Sequence, residues 1–123
     1  MSKKILIAED SSVIMNLIRK ILAQKNYEVM AAKDGQKVLE LVEKEDFDLI
    51  LMDINIPKMD GIACTRQIRA MDDEQKARVP IFAITGNARN YSVDDFKRTG
   101  IDEYLEKPLD FDRLVKLVDQ YLA

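Results

Sequence analysis

The chain has 123 residues, 47% of them apolar, a net charge of −3 and a pI near 5.0. It therefore forms one domain, 1–123, able to bury a core and poorly suited to direct contact with nucleic acid or an anionic membrane. The absence of histidine and the single cysteine, Cys64, exclude imidazole acid–base chemistry, Ser-His-Asp and Cys-His catalysis, ordinary zinc sites and an internal disulfide.

Met1-Ser2-Lys3-Lys4 leads into a short strand-like run without a signal-peptide core, and no apolar run reaches the ~20 residues of a membrane span, which points to a cytoplasmic protein. Ile5–Ala8 reads as the first strand. Ser11 or Ser12 can cap a helix whose apolar positions Val13, Ile14, Leu17, Ile18, Ile21 and Leu22 keep helical spacing. Glu28–Ala31 is a second strand, and Asp34-Gly35 turns into a helix carrying Val38, Leu39 and Val42. Leu49–Met52, the most apolar strand, should be central. Gly61–Met71 reads as the third helix, with Cys64 one turn before Ile68 as a small buried hydrophobe, followed by a charged loop, Asp72–Arg78.

Ile81–Ile84 is the fourth strand and ends at Thr85-Gly86. A weaker helix spans about Ser92 to Thr99, with Val93 and Phe96 in register. Asp102–Glu106 is the fifth strand, with Leu105 its one aliphatic residue. The last helix carries a stripe of Phe111, Leu114, Val115, Val118, Tyr121 and Leu122, and leaves Leu117 off the stripe and expected to face solvent. Strand and helix alternate throughout, so the expected fold is α/β: a doubly wound, five-stranded parallel sheet in the flavodoxin-like order 2-1-3-4-5, with five helices on its two faces.

Charged and hydroxyl groups collect where the strands run out: Glu9 and Asp10 after the first, Asp53 after the third, Thr85 after the fourth and Lys107 after the fifth. In the order 2-1-3-4-5 these four strands are neighbours, and the carboxyl edge of such a sheet is where ligands bind. Two unit charges ~4 Å apart at an effective dielectric of ~20 repel by roughly 4 kcal/mol, so three crowded acids call for a cation; oxygen ligands suit Mg²⁺. Taken singly, Glu9-Asp10 reads equally well as an acid pair at a helix N-terminus, Thr85 as a turn hydroxyl, Lys107 as a solvated charge and Tyr104 as a half-buried packing residue.

Together, Glu9-Asp10, Asp53-Ile54-Asn55-Ile56-Pro57-Lys58-Met59-Asp60-Gly61, Thr85, Tyr104 and Lys107-Pro108 resemble the receiver domain of two-component response regulators, over the whole chain. The resemblance implies that Asp53 is the phosphoacceptor, helped by Thr85 and Lys107. It implies that Glu9, Asp10, Asp53 and the backbone carbonyl of Asn55 hold Mg²⁺, Glu9 through a coordinated water. It further implies that Thr85 and Tyr104 form a coupled switch acting on the face of the fourth helix, fifth strand and fifth helix. The phosphoryl donor would be a histidine of a sensor kinase or phosphotransfer protein, and the output a further protein target. The chain would be a signalling switch that catalyses only its own phosphorylation and dephosphorylation, a monomer or a phosphorylation-dependent dimer.

Gly86 departs from the alanine often found after the switch hydroxyl. Asn55 and Asn87 stand where the family tunes phosphoryl lifetime, and Gly86, Asn87 and Asn90 start a segment, 85–99, with few apolar residues. A haloacid-dehalogenase-like phosphatase would want a second aspartate where Asn55 stands. A flavodoxin-like FMN carrier would want a Ser/Thr/Gly-rich phosphate loop where Glu9-Asp10 stand, and a pseudo-receiver would not need the full acid set. The chain ends at Ala123, directly after the last helix, as expected of a stand-alone receiver or phosphorelay intermediate, or of the receiver portion of a longer regulator.

Overall fold

Every residue of β3 (Leu49–Asp53) and β4 (Ile81–Thr85) is buried, as strands covered on both faces must be. They are flanked by β1 (Lys4–Ala8), β2 (Glu28–Ala32) and β5 (Glu103–Glu106) in one five-stranded sheet, order β2-β1-β3-β4-β5, with every neighbouring pair parallel. The computed structural model describes residues 2–86 and 93–123. The expected fold class and strand order are those observed.

Six helices cover the sheet among the described residues: α1 (Ser12–Gln24), α2 (Gly35–Lys44), α3 (Gly61–Arg69), α4 (Glu74–Ala77), α5 (Val93–Thr99) and α6 (Phe111–Leu122). Expectation gave five. The extra one, α4, is a single turn in the charged loop after α3; it buries no residue and so leaves no apolar periodicity to detect, and Asp73 fixes it by accepting from Gln75 N and Lys76 N. Side chains of the same kind start the longer helices: Ser11 caps α1, Asp34 α2, Asp60 α3 and Asp110 α6.

Strand alternation divides the core in two. Leu6, Ala8, Ile50, Met52, Ile81 and Ala83 face α2, α3 and α5, meeting Val38, Val42, Cys64, Ile68 and Phe96. Ile5, Ile7, Leu49, Leu51, Phe82, Ile84 and Leu105 face α1 and α6, meeting Met15, Ile18, Leu22, Leu114 and Val118. Cys64 is buried as expected, with Sγ 3.4 Å from the Gly35 carbonyl and burial pushing its thiol up to about 11.

Two helical faces differ from expectation. The buried stripe of α1 is Met15, Ile18 and Leu22, while Val13 is 71% exposed and Leu17 46% exposed. At 3.6 residues per turn, Val13 and Leu17 lie roughly 130–170° round the helix from the centre of that stripe. Leu117 lies on the flank of α6 rather than opposite its core side, and is half-buried against the α1/α6 cluster. Helices also differ in anchorage. Each buried aliphatic or aromatic side chain contributes ~1.5–3 kcal/mol, and α1 has three of them where α5 has one, Phe96, among its described side chains.

Candidate functional site

In parallel register Ala8 pairs with Met52, Asp53 with Ile84 and Thr85 with Glu106, so the residues that follow each apolar run reach one edge together. Parity sorts them. Glu9, Asp53 and Lys107 continue the alternation of Ile5/Ile7, Leu49/Leu51 and Leu105, on the α1/α6 side, whereas Thr85 continues that of Ile81/Ala83, on the α5 side.

Carboxylate oxygens of Glu9, Asp10 and Asp53 lie within 4.8 Å of one another; Glu9 and Asp53 are buried and Asp10 is exposed. Both Asp53 oxygens are held. Asn55 N donates to Oδ1 at 3.0 Å and Lys107 Nζ to Oδ2 at 2.7 Å. Glu9 Oε2 accepts from Ser11 N at 3.1 Å. Its Oε1 has no hydrogen-bond partner among the described residues, and Lys107 Nζ stands 3.6 Å away.

Burial, reinforced by the neighbouring Asp53 charge and opposed by the Ser11 N–H, pushes the Glu9 carboxyl up to about 7. Burial works against the Lys107 ammonium as well, but the Asp53 and Glu9 carboxylates outweigh it and leave its pKa raised. Among the described residues three acids thus face one lysine, with a buried oxygen left over. That orphaned oxygen and the all-oxygen donor set fit a hard divalent cation.

The loop under the site is closely built. Ile54 N donates to Ile84 O at 3.0 Å and Gly61 N to Ile54 O at 2.9 Å. A Cβ at Gly61 would stand 2.8 Å from the Asp53 carbonyl, so any side chain there would push the loop off the acid. Among the described residues a Cβ at Gly86 would meet only Lys107 Cδ, at 3.9 Å, an ordinary contact.

Of the residues expected at the site, Glu9, Asp10, Asp53 and Lys107 are brought together directly. Asn55 joins through its backbone, and Thr85 through its carbonyl, which accepts from Lys107 N at 2.9 Å. Tyr104 is half-buried, and its ring stacks on Phe96 with centroids 5.4 Å apart and planes at 26°. Asn87 and Asn90 lie outside the described residues. Sequence reasoning missed an apolar groove of about 240 Å³ beside the site, lined by Ile14, Leu17, Lys107, Pro108, Leu109 and Phe111. Its signal was there: more apolar positions on α1 than one buried stripe can hold.

A family model described as the response regulator receiver domain matches residues 5–119. The polar-differentiation response regulator DivK of Brucella ovis is 30% identical over 123 residues, covering 100% of this chain and 98% of that protein. Among solved structures, the receiver domain of a sensor histidine kinase from Pseudomonas aeruginosa PAO1, with a magnesium ion coordinated in its active site cleft, is 33% identical; it aligns over 98% of each chain with a TM-score of 0.87. The chemotaxis response regulator CheY4 of Vibrio cholerae is 28% identical, over 99% of this chain and 100% of that one, with a TM-score of 0.88.

Proposed function

Because the chain belongs to the response regulator receiver family, we propose that residues 1–123 form a receiver that takes a phosphoryl group onto Asp53 from a histidine of a sensor kinase or phosphotransfer protein. The observation that supports this most is the crowding of three carboxylates within 4.8 Å: Asp53, already held by Lys107, with Asp10 and Glu9, whose buried Oε1 has no hydrogen-bond partner among the described residues.

An Asp53 oxygen would form the new bond to phosphorus as the P–N bond to the donor imidazole breaks, the imidazole leaving with a proton. Glu9, Asp10, Asp53 and the Asn55 carbonyl would hold Mg²⁺, whose charge would offset the crowded acids and the incoming phosphoryl oxygens. Lys107 supplies a cationic donor and Thr85 a hydroxyl to those oxygens. The donor histidine lies outside these 123 residues, which contain none. The groove beside Lys107, with exposed Leu17 and Val13 on α1, gives that partner an apolar surface next to Asp53.

Phosphorylation of Asp53 would draw Thr85 and Lys107 inward and let the Tyr104 ring follow, changing the face made by α5, β5 and α6 for a downstream protein. No helix among the described residues is long and apolar enough to cross a membrane, and the reading is of a cytoplasmic switch, monomeric or dimerising on phosphorylation, whose only chemistry is on itself. Phosphoramidate, which carries the P–N bond of the natural donor, supplies the test. Hydroxylamine treatment of the labelled protein should give a hydroxamate at Asp53 in the peptide map; a hydroxylamine-stable phosphate on a serine or threonine would remove Asp53 as acceptor.

A further inference from the structure

We propose that Phe96 is a positioning residue for the switch: its ring holds Tyr104 against α5, and this stack sets how readily the site accepts a phosphoryl group. The inference rests on the reading of Asp53 as acceptor and Tyr104 as the ring that moves.

Tyr104 pairs in register with Ala83, two residues before Thr85 on the same face of β4. A ring travelling toward Thr85 passes a single methyl group, so β4 itself offers little resistance. Resistance comes from the other side. Phe96 is 2% exposed, and its ring lies nearly parallel to that of Tyr104 at 5.4 Å. With Thr99 it is one of two buried side chains described on α5. Movement of Tyr104 away from α5 breaks the stack and uncovers part of Phe96.

The stack therefore favours the resting position, and the phosphoryl group must overcome it. A ligand that favours the displaced ring binds more tightly when the stack is weakened, by the factor the stack contributes to the resting state. Because Phe96 sits on α5, departure of Tyr104 also loosens that helix, which places the output on an element whose described side chains bury one other residue, Thr99.

Beryllofluoride with Mg²⁺, a mimic of the phosphoryl group, gives the test on the full chain. Phe96→Leu, which keeps apolar bulk and removes the ring, should bind it about 3- to 10-fold more tightly than wild type. Phe96→Tyr, which keeps a ring, should bind like wild type, and Phe96→Leu on a Tyr104→Leu background should give no further gain. A purely structural role would not produce that dependence on Tyr104. Unchanged or weaker binding in Phe96→Leu, or the same gain in both backgrounds, would overturn the proposal. If leucine loosens α5, Phe96→Met makes the same comparison. Two controls isolate the underlying reading. Tyr104 ring resonances that do not move at saturation remove the switch, and wild-type binding by Asp53→Asn removes the acceptor, whatever Phe96 does.

Discussion

At the amino ends of the strands, cationic side chains meet carbonyl oxygens; at the carboxyl ends, among the described residues, three carboxylates share one lysine. Arg69 donates to Gly100 O through Nε and Nη2, to Ala77 O and Val79 O through Nη1, and to Asp102 Oδ2 through Nη2, at 2.7–3.1 Å. Asp102 Oδ2 also accepts from Ile81 N at 2.8 Å. Lys76 Nζ donates to Val42 O at 2.6 Å and Glu45 O at 3.0 Å, at the C-terminal end of α2, where carbonyls lack helical partners. These bonds tie helix C-termini to the starts of β4 and β5, and each half-buried charge there has its partners. At the opposite edge, among the described residues, Glu9 Oε1 has no hydrogen-bond partner, with Lys107 Nζ 3.6 Å away, and the acids outnumber the bases. One edge stabilises the fold; the other, among the described residues, leaves its acids under-compensated, as the proposed cation and phosphoryl group would require.

That division can be tested by substitutions at each end, read both for stability and for Mg²⁺ binding. Arg69→Ala should have the largest effect on stability, about 3 kcal/mol in urea unfolding, since it takes a charged donor from the Ala77, Val79 and Gly100 carbonyls and leaves Asp102 with Ile81 N alone. Its Mg²⁺ affinity should match wild type; a large loss of affinity would join the two edges. Asp10→Ala should do the reverse, weakening Mg²⁺ by about 10- to 100-fold in calorimetric titration, ~1.4–2.7 kcal/mol, with an unchanged urea midpoint. Unaltered Mg²⁺ affinity would put the metal elsewhere.

The third expectation concerns pH. Glu9 is held at about 7 against an ordinary 4.5, so the folded protein keeps a proton that the unfolded chain releases. Its contribution to stability is full below the unfolded value and is lost as pH rises from about 4.5 through 7. In EDTA, wild type should therefore lose stability relative to Glu9→Gln between pH 5 and 8, and saturating Mg²⁺ should reduce the loss. Parallel pH curves for the two proteins would show that Glu9 is not strained. The smallest effect is expected from Gly86→Ala. With room for its Cβ beside Lys107, it should stabilise by ~0.4–1 kcal/mol through the unfolded chain and change the rate of labelling by less than about twofold.

Much of this was legible in the sequence because two simple periodicities carry it. Apolar runs such as Leu49–Met52 gave the strands, and their alternation with helices gave the sheet order that brings Glu9, Asp53 and Lys107 to one edge. Val13 and Leu17 misled because a helix with apolar residues around most of its girth does not declare its buried side; Met15 fixes it, through contacts between distant segments. The short α4 left no apolar trace. The Arg69 and Lys76 clamps were invisible for a different reason. Their acceptors are mostly backbone carbonyls, which every sequence supplies alike, and only the folded chain says which of them a lysine or arginine will reach. The Phe96–Tyr104 stack likewise joins α5 to β5 by a geometry that spacing alone does not fix.

The central claim is that the under-compensated edge is a phosphoryl acceptor, and intact mass after incubation with acetyl phosphate tests it most directly. The expected result is a single phosphoryl adduct with Mg²⁺, little or none in EDTA, and none in a folded Asp53→Asn protein. An adduct of equal yield in Asp53→Asn, or no adduct on wild type with Mg²⁺ present, would contradict it.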